Sequence, residues 1–292
     1  MDVREKIEWA RTSLSFYDYE QAEKYAVEAR EEEPENPQVH LILGNIYTKT
    51  RQYRKAVEAY LKTVELLPES SDVHNNLAIA YRQTGELSKA LQAFQQAYKL
   101  EPKSADICYN FANAFKQSGN NKKAKEFYRK AIKNNPEYPL AYNNLGNILH
   151  KEGNLDEAIR QYRKGLEYDE NHPSLRYNFG VALESKGDAE SAVSEYQRAL
   201  KSKPGWIEGL NNLGVALQKL GKYEEAERAF RDILKLSPDH LQANNNLGVL
   251  YSDQKRYDEA EQYFRTALSA DPEYRHAAVN MGKMHVEYGD KE

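Results

Sequence analysis

One period runs through the whole sequence. Ala22, Ala56, Ala90, Ala124, Ala158, Ala192, Ala226 and Ala260 follow one another at intervals of 34 residues. Leu43, Leu77, Phe111, Leu145, Phe179, Leu213, Leu247 and Met281 keep the same step, as does the small-residue series Gly44, Ala78, Ala112, Gly146, Gly180, Gly214, Gly248 and Gly282. A fixed period of this length marks an array of supersecondary units, none of which can bury its apolar face alone. The series divide residues 3–274 into eight repeats that start at Val3, Pro37, Ser71, Ala105, Pro139, Pro173, Ile207 and Leu241, with no insertion between them. A half-repeat, 275–288, follows. It reads as a capping helix or as the cut edge of a longer array.

Proline and glycine give the register of each unit. All ten prolines fall at position 32 or position 1 of the repeat, where a helix interior is not interrupted. Gly85, Gly119, Gly153, Gly187, Gly221 and Gly289 share position 15, which suits a left-handed helix C-cap. The pattern predicts a first helix over about positions 2–14 and a second over about 18–31. Positions 4, 7, 8 and 11 form the buried stripe of the first helix. Small residues at 8 and 20 let the two helices approach, and large ones such as Tyr81 with Phe94 or Tyr251 with Phe264 fill the space beside them.

The pattern of small and aromatic residues at positions 8, 11, 20, 24, 27 and 32 resembles the tetratricopeptide repeat (TPR) family, over nearly the whole chain. The resemblance implies an all-α fold, a right-handed TPR superhelical solenoid of antiparallel helix pairs, with first helices lining the concave face. There are departures. Repeat 1 carries Trp9, Ala10, Ser13 and Ala26 at positions 7, 8, 11 and 24, Glu170 replaces a junction proline, and Arg51 and Lys255 replace the turn glycine. These bear on local turn geometry.

The functional signal is asparagine. Position 6 holds Asn76, Asn110, Asn144, Asn178, Asn212, Asn246 and Asn280 in seven successive repeats. Position 5 adds Asn75, Asn143, Asn211 and Asn245, with Tyr109 and Tyr177 between them, and position 9 adds Asn45, Asn113 and Asn147. Asparagine is a poor helix former, so its recurrence calls for a reason. Its amide offers donors and an acceptor, as a peptide group does, so a row of amides can hold an extended chain by its backbone. The row is similar to the asparagine ladder of O-linked N-acetylglucosamine transferases, which implies a clamp on client peptide backbones. The other reading is structural: the amides bond to neighbouring backbone or to one another and stabilise the superhelix. Among the groove neighbours, Arg82, Lys116, His150 and Lys151 are polar or basic, whereas Val181, Val215 and Val249 are apolar. The family's clamp for chaperone tails needs lysine at position 5, which never occurs here.

Other functions find little support. The net charge is −4, which steers the chain neither to nucleic acid nor to an anionic membrane. The basic run Lys122, Lys123, Lys125, Arg129, Lys130 and Lys133 lies on a second helix that faces outward. The single cysteine, Cys108, excludes an internal disulfide and falls at a packing position. The N-terminus lacks a signal-peptide core, no run is apolar enough to span a membrane, and a cytoplasmic protein is expected. There is no phosphate-binding loop, no metal spacing among the seven histidines, and carboxylates are expected on solvated faces. The expectation is a non-enzymatic scaffold without cofactor or metal, binding an extended peptide or a protein partner. Self-association, or service as the targeting region of a larger enzyme such as a glycosyltransferase, are the alternatives.

Overall fold

In the computed structural model, residues 1–289 are described, and among them the chain forms seventeen α-helices. The first helices of the repeats are α1 (Val3–Ser15), α3 (Pro37–Lys49), α5 (Ser71–Gln83), α7 (Ala105–Gln117), α9 (Pro139–Lys151), α11 (Pro173–Ser185), α13 (Ile207–Lys219) and α15 (Leu241–Asp253). The second helices are α2 (Tyr19–Glu32), α4 (Tyr53–Leu66), α6 (Leu87–Leu100), α8 (Asn121–Asn134), α10 (Leu155–Tyr168), α12 (Ala189–Ser202), α14 (Tyr223–Leu236) and α16 (Tyr257–Ala270). The last, α17 (Arg275–Gly289), packs on α15 and α16.

Each helix begins one residue earlier than the sequence pattern predicts. The reason is the cap. The residues before α1, α3, α5, α7, α11, α13 and α15 take an extended conformation and frequently accept from the new helix: Asp2 from the Glu5 N–H, Ser70 from Val73, Ser104 from Ile107. Proline then occupies the first helical turn, as at Pro37 and Pro173, where its missing N–H costs nothing.

The chain divides into two compact units, Met1–Ala141 and Tyr142–Glu292. Within each, a first helix packs on its own second helix, and that second helix packs on the next first helix. First helices also touch one another, as α1 with α3, α5 with α7 and α13 with α15. Inside a pair, position 8 closely approaches the ring at position 24. A Cβ added to Gly214 would come 2.5 Å from the Phe230 ring, and one added to Gly146 would come 2.6 Å from Tyr162. The same rings reach the next repeat: Phe94 stacks on Phe111 at 5.8 Å and Tyr162 meets Phe179 at 6.4 Å.

The turns keep one geometry despite the departures. Gly85, Gly119, Gly153, Gly187 and Gly221 have positive φ, and so do Tyr17, Arg51 and Lys255, which occupy the same repeat position. Repeat register therefore overrides the roughly 1–2 kcal/mol that a side chain adds to left-handed backbone. Gly289 ends α17, and the segment that follows lies outside the described residues.

The side chain at position 4 ties each first helix to the preceding junction. His40 Nε2 lies 2.6 Å from the Pro34 carbonyl oxygen, and His74 Nε2 lies 2.8 Å from that of Pro68. A carbonyl only accepts, so Nε2 carries the proton in both. Asn244 donates to the Pro238 carbonyl at 3.0 Å in the same way. Cys108 is buried there, its Sγ 3.8 Å from the Pro102 oxygen, and burial pushes its thiol pKa up, which keeps it unreactive. Arg176 fills this position in repeat 6 and corrects one expectation. Carboxylates are not confined to solvated faces: Glu195 is 8% exposed and accepts from Arg176 Nη1 at 2.5 Å. The guanidinium is buried by the junction, and only a charge partner makes that tolerable.

Candidate functional site

The position-6 asparagines are all half-buried. At position 5, Asn75, Tyr109 and Tyr177 are half-buried, whereas Asn143, Asn211 and Asn245 are buried. The two positions interlock across neighbouring repeats, 35 residues apart. In the first unit Asn110 Nδ2 donates to Asn75 Oδ1 at 3.2 Å. In the second unit Asn178 donates to Asn143 Oδ1 at 2.9 Å, Asn212 to the Tyr177 hydroxyl at 2.9 Å, Asn246 to Asn211 Oδ1 at 2.8 Å and Asn280 to Asn245 Oδ1 at 2.9 Å.

Within a helix the adjacent amides are linked as well. Asn211 Nδ2 donates to Asn212 Oδ1 at 3.4 Å and Asn245 Nδ2 to Asn246 Oδ1 at 3.3 Å. The second unit thus holds a directional relay from Asn280 through Asn245, Asn246, Asn211 and Asn212 to Tyr177. Each carbonyl of the four inner amides is used as an acceptor. Such chains polarise one another and gain strength cooperatively. Sequence reasoning offered bonding between the amides as one of two readings but not the partners, because a period of 34 does not reveal which residues of neighbouring repeats meet.

Position 9 divides by residue type. Asn45 accepts from the Tyr60 hydroxyl at 2.8 Å, Asn113 from Tyr128 at 2.6 Å and Asn147 from Tyr162 at 2.7 Å, so these carbonyls serve the pairing of first and second helices. Val181, Val215 and Val249 take the same position in the later repeats and are half-exposed. Lys116 lies at position 12 and is exposed; Asn76 sits on α5 and Asn144 on α9.

Two features were not legible in the sequence. A second lateral row joins position 12 of one repeat to position 13 of the next. His150 Nε2 lies 2.9 Å from Ser185 Oγ, Lys219 Nζ is 2.5 Å from Glu184 Oε1, and Gln218 donates to Asp253 at 2.6 Å. The position-5 tyrosines also lean on the aromatic residue at the end of their repeat: Tyr109 on Tyr138 at 4.9 Å and Tyr177 on Trp206 at 4.6 Å. Burial, and then the Asp106 carboxylate that accepts from its hydroxyl at 2.8 Å, push the Tyr138 phenol pKa up.

Among the described residues no group of three or more His, Cys, Asp or Glu is placed to hold a metal ion, and no helix is long and apolar enough to cross a membrane. What the first-helix face offers is hydrogen bonding and apolar contact.

Comparison with known proteins agrees with the helix-pair geometry. Family models described as tetratricopeptide repeat or TPR repeat match residues 14–78, 80–119, 105–138, 127–160, 146–187, 173–205 and 211–275. No curated protein matches the chain. Among solved structures, the chain is similar to YrrB, titled a TPR protein with an unusual peptide-binding site, at 25% identity and a TM-score of 0.58, over 64% of this chain and 97% of that one. It shares its fold with a TPR repeat-containing protein of Cytophaga hutchinsonii (16% identity, TM-score 0.67, 82% of this chain and 98% of that one). It also shares it with MamA (23% identity, TM-score 0.52, 57% and 92%).

Proposed function

Because this chain belongs to the tetratricopeptide repeat family, we propose that it is a protein-interaction scaffold whose first-helix faces hold an extended polypeptide segment, without catalysis. The observation that carries this is the amide row. The position-6 asparagines are half-buried and fixed by their neighbours, so their remaining N–H groups are oriented before a ligand arrives. Pre-organised donors lose little entropy on binding. Each bond contributes only about 0.5–1.5 kcal/mol net, so affinity comes from several rungs together. The peptide-binding site named for YrrB supports the same use of the fold here.

The test is capture of clients by the wild type beside the variant with Asn144, Asn178 and Asn212 all changed to alanine. Lost capture with a retained helical CD signal and thermal transition supports the reading. Undiminished capture by a folded variant sinks it.

A second reading, self-association, rests on exposed apolar side chains: Trp9 and Phe16 in and beside α1, and Val279 and Val286 on α17. Sedimentation equilibrium at increasing concentration decides it, since a mass that stays monomeric removes it.

A further inference from the structure

The second helices do not share their charge evenly. α8 carries Lys122, Lys123, Lys125, Arg129, Lys130 and Lys133 against a single carboxylate, Glu126. α6 meets α8 through the Tyr98 and Phe127 rings at 5.1 Å, adds Lys89 and Lys99, and holds no carboxylate. The chain as a whole has a net charge of −4, so these two helices reverse its sign locally.

The arrangement works against the helix that bears it. Lys122, Lys125, Arg129 and Lys133 follow one another at three- and four-residue steps, so like charges stand side by side along one face. The first turn of α8 holds Lys122 and Lys123 and no carboxylate, although the macrodipole favours anions there. In α10, α12, α14 and α16 the first turn is acidic, as the macrodipole prefers. Lys122, Lys123, Arg129 and Lys133 are exposed. Two cations are held in place by aromatic rings. Lys123 Nζ lies 5.1 Å from the centre of the Phe115 ring, and Lys130 Nζ lies 4.3 Å from that of Phe127 and 5.0 Å from that of Tyr98. Lys130 also bridges Glu126 at 2.8 Å. A negatively charged partner lying along this face relieves the repulsion.

Three classes of partner carry such charge, and the face discriminates between them. Single-stranded nucleic acid stacks its bases on accessible aromatic rings, whereas here Phe127 and Tyr128 are buried and Tyr98 is covered by Lys130. Arginine supplies the planar fork that grips phosphate, and Arg129 is the one arginine of the two helices. A basic helix that lies on a lipid surface inserts apolar side chains, and α8 exposes no large one among the described residues. A short acidic polypeptide needs neither ring nor apolar anchor, and it matches the reach of a 14-residue helix, about 21 Å.

We propose that the outer face of α8 is a second docking surface, which takes a short acidic polypeptide segment. It is separate from the amide row and does not depend on the peptide-holding reading above.

The experiment uses the full chain at low ionic strength, where exposed charges are least screened. Fluorescein-labelled probes are read by anisotropy. One peptide repeats Glu-Glu-Gly-Ser and a second repeats Gln-Gln-Gly-Ser. A single-stranded oligodeoxynucleotide of equal length is the third probe, and co-sedimentation with phosphatidylserine vesicles is the fourth arm. The glutamate peptide should bind at least about ten-fold tighter than the glutamine peptide, and more tightly than the oligonucleotide. The protein should not sediment with the vesicles. Arg129→Glu combined with Lys133→Glu should weaken glutamate-peptide binding at least about ten-fold. Lys201→Glu combined with Lys222→Glu makes the same change in net charge at two exposed lysines elsewhere and should weaken it less than about two-fold. Arg129→Gln combined with Lys133→Gln should give an intermediate loss, which keeps the test decisive should the reversed pair misfold. Equal binding of the two peptides, tighter binding of the oligonucleotide, sedimentation with the vesicles, or equal losses in the two charge-reversed variants overturns the inference. None of these outcomes bears on the amide row, which the variant of Asn144, Asn178 and Asn212 tests.

Discussion

Arg176 Nε donates to the Glu170 carbonyl oxygen, six residues back, at 2.6 Å, while the same guanidinium reaches forward to Glu195. Glu170 stands where other repeats have proline, so the arginine secures a junction that lacks a rigid residue. Arg176 is only 4% exposed, which makes the pair sensitive to loss of one member. Glu195→Gln should cost up to about 3–5 kcal/mol, because the buried guanidinium keeps only the oxygens of Glu170, and Arg176→Met should cost less, because Arg198 still bridges Glu195 at 3.3 Å. Replacing both by leucine should cost much less. Urea unfolding of the three variants measures this; equal costs for single and double variants would contradict it.

Glycines at position 8 are predicted to respond in opposite ways according to what stands opposite them. Gly214→Ala drives a Cβ to 2.5 Å from the Phe230 ring and should cost about 1–3 kcal/mol by overpacking. Gly282→Ala meets nothing within 4 Å and should stabilise α17 by about 0.5–1 kcal/mol through helix propensity. Ala226→Leu, at a fully buried position, should behave like Gly214→Ala. Thermal transitions of the three variants distinguish these outcomes.

Arg51 and Lys255 hold φ of 60° where five repeats place glycine. Arg51→Gly and Lys255→Gly should each raise stability, by up to about 1 kcal/mol, the relief of left-handed strain being partly offset by unfolded-state entropy. Gly119→Ala, at φ of 78°, should lower it by a similar amount. Chemical denaturation midpoints report both signs.

Burial pushes the Tyr60 phenol up to about 12, with the Thr48 hydroxyl pulling slightly the other way. An unfolded tyrosine titrates near 10. The folded protein therefore holds this proton more tightly, so the contribution to stability is complete below about pH 10 and is lost as pH rises toward about 12. Burial shifts Tyr162 and Tyr196 upward too, so alkaline unfolding should be cooperative. Tyr60→Phe should make the alkaline loss shallower, and at neutral pH should cost about 1 kcal/mol for the bond to Asn45. An unchanged pH profile in that variant would count against the assignment.

The sequence by itself determined the repeat, the helix pairs and the turns. These follow from local chemistry: proline ends a helix, a left-handed C-cap closes one, and a small residue every 34 positions permits a close crossing. It also marked the asparagines as unusual, since nothing local favours them in a helix. Only the tertiary structure decided what those amides bond to. The partner of Asn246 is Asn211 and not its equivalent Asn212, because neighbouring first helices are offset so that position 6 faces position 5. That offset is a property of how helices pack, and it is what converts a row of separate amides into a relay. The same holds for Glu195, whose burial depends on an arginine nineteen residues away in sequence and on the helix crossing that brings them together.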